Sequence, residues 1–122
     1  MKRLLVNMTE ITIFKDIKGY IERYKISGHS GYDIKGKDIV CAAVSILGQT
    51  ALISLVEVCG VRENEINYTI DDEKGIMDVT ISKTIDKSIR RETEIVLKTL
   101  EVGIKAILES YPEYITLKYR EV

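Results

Sequence analysis

The chain has 122 residues, 45% of them hydrophobic, which is enough for one hydrophobic core. Its 18 basic and 19 acidic residues create no strong positive field, which argues against direct nucleic-acid binding. No stretch reaches the roughly 20 uninterrupted apolar residues of a membrane helix, and the segment before Met8 is too short for a signal peptide, so we expect no membrane association and a cytoplasmic protein. We expect residues 1–7 to be either a disordered extension or the result of an upstream start codon, and residues 8–122 to form one domain.

The first predicted element is a β-hairpin. Polar and apolar residues alternate over 11–14 and again over 21–26, as they do in strands with one buried face. Between them, Asp16-Ile17-Lys18-Gly19 has the residue types of a turn. The chain is therefore expected to begin with two antiparallel strands.

A glycine-rich loop is predicted after the hairpin, over residues 27–37. It holds Gly28, Gly31 and Gly36, and this density of glycine is typical of a flexible loop. His29, the only histidine of the chain, lies in this loop rather than on an apolar face. An imidazole in such a position exchanges protons near neutral pH and can change position with the loop.

A long apolar helix is predicted next, over residues 39–58. Asp38 is a good N-cap, and Gly60 stands where a left-handed C-terminal cap is favoured. Because the helix is apolar nearly all round, we expect it to lie in the middle of the domain with protein on most sides. Gly48 costs about 1 kcal/mol relative to alanine in such a helix unless a neighbour packs closely against it.

The second half of the chain contains another hairpin, a second helix and a final strand. Alternation over 65–70 and 76–81 predicts two strands around an acidic turn. Apolar residues spaced by three and four predict an amphipathic helix over 86–111, which Pro112 ends, and residues 114–119 alternate again. The order ββαββαβ predicts an α+β fold with two helices packed on a largely antiparallel sheet.

The two cysteines are predicted to differ in reactivity. Cys41 falls at the third helical position after Asp38, where unpaired N–H groups and the helix dipole favour the thiolate. Cys59 lies at the opposite end, about 27 Å away, so a disulfide is excluded and we expect Cys59 to be inert. His29 precedes Cys41 by twelve residues, a separation that permits an imidazole and a thiol to form a catalytic pair.

Each of these residues also has a simpler interpretation. Taken singly, His29 is a surface histidine and Cys41 a small apolar residue of a core helix. Asp38 either only caps the helix or also orients His29, and Ser45 either contacts the site or bonds back within its own helix. The N–H groups of Cys41 and Ala42 are candidate donors to an oxyanion.

Metal and redox functions fit the sequence poorly. One histidine and two distant cysteines cannot supply a tetrahedral zinc site, so no metal or other cofactor is expected. A redox sensor lacks a nearby resolving cysteine.

Two runs of sequence carry a resemblance to a known family. Residues 27–32 read Ser-Gly-His-Ser-Gly-Tyr, and residues 36–45 read Gly-Lys-Asp-Ile-Val-Cys-Ala-Ala-Val-Ser. Together they closely resemble the bacterial ribosomal-processing cysteine peptidases known as the Prp family. The resemblance places His29 and Cys41 at the family's catalytic positions and matches Asp38 and Ser45, whereas Ser30 replaces an alanine that is common after the family's histidine.

The resemblance implies a function. It implies a cysteine endopeptidase that removes the N-terminal extension of a large-subunit ribosomal protein, the twenty-seventh in the standard series, during ribosome assembly. It also implies a homodimer, a loop around the histidine that moves to admit substrate, and an apolar groove for a phenylalanine pair, with Tyr32 as one wall. The alternative is a non-catalytic, ribosome-associated binding module that uses the glycine-rich loop, with Cys41 merely packed.

Overall fold

A computed structural model describes residues 8–28 and 35–122 of the chain. In this part the elements follow the predicted order ββαββαβ, with one turn of 3₁₀ helix before the third strand. Their bounds are β1 (Thr9–Lys15), β2 (Ile21–Ser27), α1 (Lys35–Glu57), the 3₁₀ turn (Glu63–Glu65), β3 (Ile66–Asp71), β4 (Ile76–Ile81), α2 (Lys87–Ser110) and β5 (Ile115–Glu121).

The five strands form one sheet in the order β3-β4-β2-β1-β5. All neighbouring pairs are antiparallel except β1 and β5, which run parallel. A parallel pair needs a crossover connection, and α2 provides it between β4 and β5. The prediction of two helices and a largely antiparallel sheet is confirmed.

Both helices cover the same face of the sheet. Ile11 and Ile13 of β1 are fully buried beneath them, whereas Thr12 and Phe14, which point to the other face, are partly exposed. This alternation follows from the two-residue period of a strand. The core therefore lies between the sheet and the helix layer, and the opposite sheet face is in contact with solvent.

Gly48 allows α1 to approach the sheet closely. A Cβ atom at this position would lie 2.5 Å from Cδ1 of Ile26 and 2.9 Å from Sδ of Met77. The buried hydroxyl of Tyr24 donates a hydrogen bond of 2.7 Å to the Gly48 carbonyl oxygen, and burial raises the pKa of Tyr24, so this donor stays protonated. A neighbour packed closely against Gly48 was expected from the sequence, and the structure shows that this neighbour is the sheet.

The N-terminal end of α1 differs from the prediction, whereas its C-terminal end agrees. The helix begins at Lys35. Asp38 is therefore its fourth residue and not its N-cap, and Cys41 is its seventh residue rather than its third. Gly60 has a φ of 74°, the left-handed conformation expected of a glycine after a helix.

The outer side of α1 is more exposed than the sequence predicted. Ile39, Ile46 and Ile53 are each more than half exposed, because no element within residues 8–28 and 35–122 packs over the outer side of the helix layer. The segment Ile39–Glu57 is long and apolar enough to cross a membrane, so the statement that no stretch approaches such a helix is wrong. Core helices of globular proteins can have the same length and composition, and α1 packs on both the sheet and α2.

A polar cluster joins α2 to β5. The Tyr119 hydroxyl donates a hydrogen bond to the carboxylate of Glu101, and the ammonium groups of Lys15 and Lys105 lie 3.5 and 3.6 Å from the same carboxylate. Burial opposes ionisation of Glu101, but the hydrogen bond and the two cations outweigh it and lower its pKa. Burial and the neighbouring carboxylate raise the pKa of Tyr119 to about 12.

The stability of the protein is expected to depend on Tyr119 in alkaline solution. Its folded pKa lies above the ordinary value of 10, so its contribution is full below pH 10 and is lost as the pH rises towards 12. Tyr119→Phe should lower the free energy of unfolding by about 1 kcal/mol at pH 7, and the difference from wild type should shrink above pH 10. Urea unfolding from pH 7 to 11 measures this, with Tyr68→Phe on an exposed residue as control. A difference that stays constant with pH would contradict the assignment.

Candidate active site

A cleft of ≈ 140 Å³ lies between the start of β1, the C-terminal end of β2, the first half of α1 and the β3–β4 hairpin. Its walls combine apolar side chains from the sheet with polar side chains from the helix, the strand ends and the hairpin turn. The lining residues are Thr9, Ile26, Gly28, Cys41, Ser45, Gln49, Ile70, Asp71, Asp72, Gly75, Ile76 and Met77.

Cys41 lines this cleft as a free thiol. Its side chain is partly buried, and its Sγ atom lies 3.3 Å from Oγ1 of Thr9. Thr9 is the first residue of β1 and is only 2% exposed. The thiol therefore faces the cleft with a hydroxyl group beside it.

Ser45 lies one turn beyond Cys41 on the same side of α1 and lines the same cleft. Its Oγ atom accepts a hydrogen bond of 3.1 Å from Nε2 of Gln49. The partner is a side chain one turn further along the same helix face, so this bond is not a bond back to the helix backbone, and a hydrogen bond from Ser45 to the catalytic pair stays a prediction. Ser45 and Gln49 together form the polar side of the cleft.

The backbone of Gly28 is held against the β3–β4 hairpin. Its N–H donates a hydrogen bond of 2.9 Å to the carbonyl oxygen of Gly75, which has a φ of 65°. A Cβ atom at Gly75 would lie 1.7 Å from the Gly28 carbonyl oxygen, so only glycine allows the two backbones to approach in this way. The residue directly before His29 is thus fixed at the edge of the cleft.

Part of the predicted site lies outside the described residues. His29, Gly31 and Tyr32 belong to residues 29–34, so the pairing of His29 with Cys41 stays a prediction. Gly36 lies in the first turn of α1, which begins earlier than the sequence indicated. The orientation of His29 by Asp38 likewise stays a prediction.

The earlier start of α1 changes two chemical arguments. The amides of Cys41 and Ala42 lie in the second turn, where N–H groups bond to the carbonyl four residues earlier, so these two amides are not free to hold an oxyanion. The dipole effect also falls off within the first turn, so it acts weakly on Cys41. Apart from the Cys41 thiol itself, the side chains that can donate hydrogen bonds among the described cleft residues are those of Thr9, Ser45 and Gln49.

Sequence reasoning missed the contribution of the second hairpin and of β1. Ile70 and Met77 supply apolar walls, Asp72 lies at the rim, and Thr9 contacts the thiol. The alternation in β1 does place Thr9 on the same face as Ile11 and Ile13, but nothing local indicates that this face meets Cys41.

Cys59 has the opposite environment. It is 4% exposed, and burial together with the nearby carboxylate of Glu92 raises the pKa of its thiol. Both cysteines are free, so the prediction that they do not pair is confirmed. Within residues 8–28 and 35–122, no group of three or more histidine, cysteine, aspartate or glutamate residues is placed to hold a metal ion.

A partly exposed thiol on a helix, set in a cleft with apolar walls and hydroxyl groups, is compatible with a nucleophilic cysteine that acts on a peptide. The family model described as "Cysteine protease Prp" matches residues 8–116. The chain therefore belongs to the Prp family of cysteine proteases, as its two sequence runs suggested.

Solved structures have the same fold. SMU.848 from Streptococcus mutans is 25% identical over the full length of both chains, with a TM-score of 0.81. The ribosomal processing protease Prp from S. aureus, in complex with a substrate peptide, is 23% identical with a TM-score of 0.80; its complex with a covalently linked product peptide gives 25% and 0.74. Each alignment covers 93% of this chain and all of the S. aureus chain. No curated protein sequence matches the chain.

Proposed function

We propose that this chain removes the N-terminal extension of a large-subunit ribosomal protein, the twenty-seventh in the standard series, during ribosome assembly in the cytoplasm. The observation that carries the proposal is the position of Cys41: it lines a cleft on a chain of the cysteine protease Prp family. The S. aureus relative is a ribosomal processing protease, which supports a substrate of the same kind. Family membership also favours a peptidase over a binding module.

The proposed reaction uses Cys41 as nucleophile and His29 as base. His29 accepts the thiol proton, and the thiolate attacks the scissile carbonyl carbon to form a tetrahedral oxyanion. Protonated His29 then gives its proton to the leaving amine, and the C–N bond breaks to leave a thioester. Water, activated by His29, hydrolyses the thioester and releases the N-terminal fragment and the free thiol.

The walls of the cleft suit an apolar segment of substrate. Ile26, Ile70 and Met77 line it, and Ile70 is the outermost of these because β3 is the edge strand of the sheet. Aromatic residues before the cut, such as the phenylalanine pair of the family's substrates, would bury apolar surface against these side chains.

Incubation of the purified protein with the extended ribosomal protein tests the substrate directly. We expect a single trimmed product, detected by its intact mass, and no product from a substrate whose phenylalanine pair is replaced by aspartates. Equal trimming of that altered substrate, or no trimming of either, would contradict the proposed substrate.

The exposed side of the helix layer supports a homodimer. Ile39, Ile46 and Ile53 of α1 recur every seven residues, and Ile95 and Val102 of α2 have the same spacing. All five are more than half exposed, and α2 packs beside α1, so the two rows belong to one apolar surface of the helix layer. A second copy that presents the same surface would bury these side chains in a symmetric interface.

Ile46→Lys is expected to dissociate the dimer. A lysine at the centre of the α1 row places a charge in the interface without a partner, so the mass measured by light scattering should fall from that of two chains to that of one. Ile17→Lys is the matched control, because Ile17 is 88% exposed at the β1–β2 turn, away from the helices. A wild-type protein that remains a single chain at micromolar concentration would contradict the dimer.

A further inference from the structure

Thr9 is held in place at the cleft by its backbone. Its N–H donates a hydrogen bond of 2.9 Å to the carbonyl oxygen of Tyr114, and it pairs with Ile115 in the parallel strand β5. At 2% exposure it is one of the few polar residues in the core layer. The position of its Cα atom is therefore set by the sheet and not by α1.

The side chain of Thr9 fills the space between Gly28 and Cys41. A Cβ atom at Gly28 would lie 2.8 Å from Oγ1 and 3.2 Å from Cβ of Thr9. A threonine is stiff at χ1, and packing on this side restricts it further, so its hydroxyl is directed to Sγ of Cys41 at 3.3 Å. The absence of a side chain at Gly28 is thus a condition for the contact with Cys41.

The direction of this hydrogen bond depends on the ionisation of the thiol. With Cys41 protonated, either atom can donate. Once Cys41 is a thiolate, only the Thr9 hydroxyl can donate, and a hydrogen bond to a charged acceptor is stronger than one to a neutral acceptor. The contact therefore favours the thiolate and holds the sulfur at one side of the cleft.

From these contacts we infer that Thr9 is a positioning residue for the nucleophile: its hydroxyl, fixed by the β1–β5 pairing and by Gly28, orients Cys41 and stabilises its reactive form. The inference rests on the proposed role of Cys41. The Thr9 hydroxyl, held by the sheet, would then stabilise the Cys41 thiolate. The sequence pattern had assigned this stabilisation to the start of α1, but α1 begins more than one turn before Cys41.

Alkylation of Cys41 by iodoacetamide tests the inference without any substrate. Thr9→Val keeps the shape of the side chain and removes the hydroxyl, so we expect alkylation at pH 7 to be about threefold to tenfold slower, with the rate profile displaced to higher pH. Thr9→Ser keeps the hydroxyl and should restore the rate to within about twofold of wild type. Thr12→Val, on the opposite face of the same strand, is the matched control and should leave the rate unchanged.

Peptide cleavage adds a second measurement. Thr9→Val should lower kcat and leave KM for the substrate peptide nearly unchanged, because Thr9 acts on the nucleophile. The inference would be overturned if Thr9→Val had the alkylation rate, pH profile and kcat of wild type. It would also be overturned if Thr9→Val and Thr9→Ser lost alkylation rate and kcat to the same extent. Failure of the proposed function is a different result: the wild-type protein would cleave nothing, while the alkylation rates would still rank the variants.

Discussion

Cys41→Ala is expected to abolish peptide cleavage, with kcat reduced by at least about 10⁴-fold. Removal of a nucleophile eliminates the covalent pathway and leaves only the smaller contribution of binding and orientation. Because Cys41 is partly exposed and lies in a helix, alanine should change the free energy of unfolding by less than about 1 kcal/mol. Cleavage rates on the extended ribosomal protein and circular dichroism of the variant measure both effects.

Cys59→Ala is the matched control for this experiment. It removes the other thiol, which is buried and 4% exposed, so it should cost about 1 kcal/mol of stability and leave kcat within about twofold of wild type. Full cleavage by Cys41→Ala would contradict the assignment of the nucleophile. A fall in kcat in Cys59→Ala as large as that in Cys41→Ala, with the fold intact, would show that the reaction does not depend on Cys41 alone.

Gly48→Val is expected to have the largest effect on stability. Its Cβ would lie 2.5 Å from Cδ1 of Ile26 and 2.9 Å from Sδ of Met77, and its two methyl groups would add further overlap at the contact of α1 with the sheet. We expect a loss of about 3 kcal/mol and a melting temperature lower by about 10 °C. Since Ile26 and Met77 also line the cleft, the folded fraction should cleave more slowly.

Gly48→Ala and Gln49→Val separate the two possible causes of a loss of stability in Gly48→Val, which are overlap with the sheet and low helix propensity. Alanine gains about 1 kcal/mol of helix propensity and meets only the flexible ends of Ile26 and Met77, so Gly48→Ala should be close to neutral. Gln49→Val places the same β-branched residue at the next position, which is exposed, and should cost less than about 1 kcal/mol. A loss in Gln49→Val equal to that in Gly48→Val would show that helix propensity, and not packing, is responsible.

The elements of the fold could be predicted from local patterns. Alternation of period two gave both hairpins and the last strand, and spacing by three and four gave α2, because each of these elements buries one face only. The predicted start of α1 was wrong because Asp38 is a favourable capping residue in isolation, and capping preference does not exclude a helix that begins earlier. The exposure of Ile39, Ile46 and Ile53 was not predicted either, since an apolar sequence does not show which side a neighbour covers.

The candidate site could be predicted in part. The runs around His29 and Cys41 indicated the family and the proposed nucleophile, because those residue types occur together in a short stretch of sequence. Much of the cleft wall comes from residues on other elements, such as Thr9 on β1 and Met77 on β4, and no local pattern connects them to Cys41.

The sequence alone determined the order of the elements, the family and the two residues proposed to carry the reaction, because these depend on residue type and on short spacings. Tertiary structure decided which cysteine reaches a cleft, what lies beside its sulfur and which helix surface is left uncovered. The physical reason is that hydrogen bonding and burial act through space: the hydroxyl next to Cys41 is 32 residues distant in sequence and 3.3 Å distant in the folded chain.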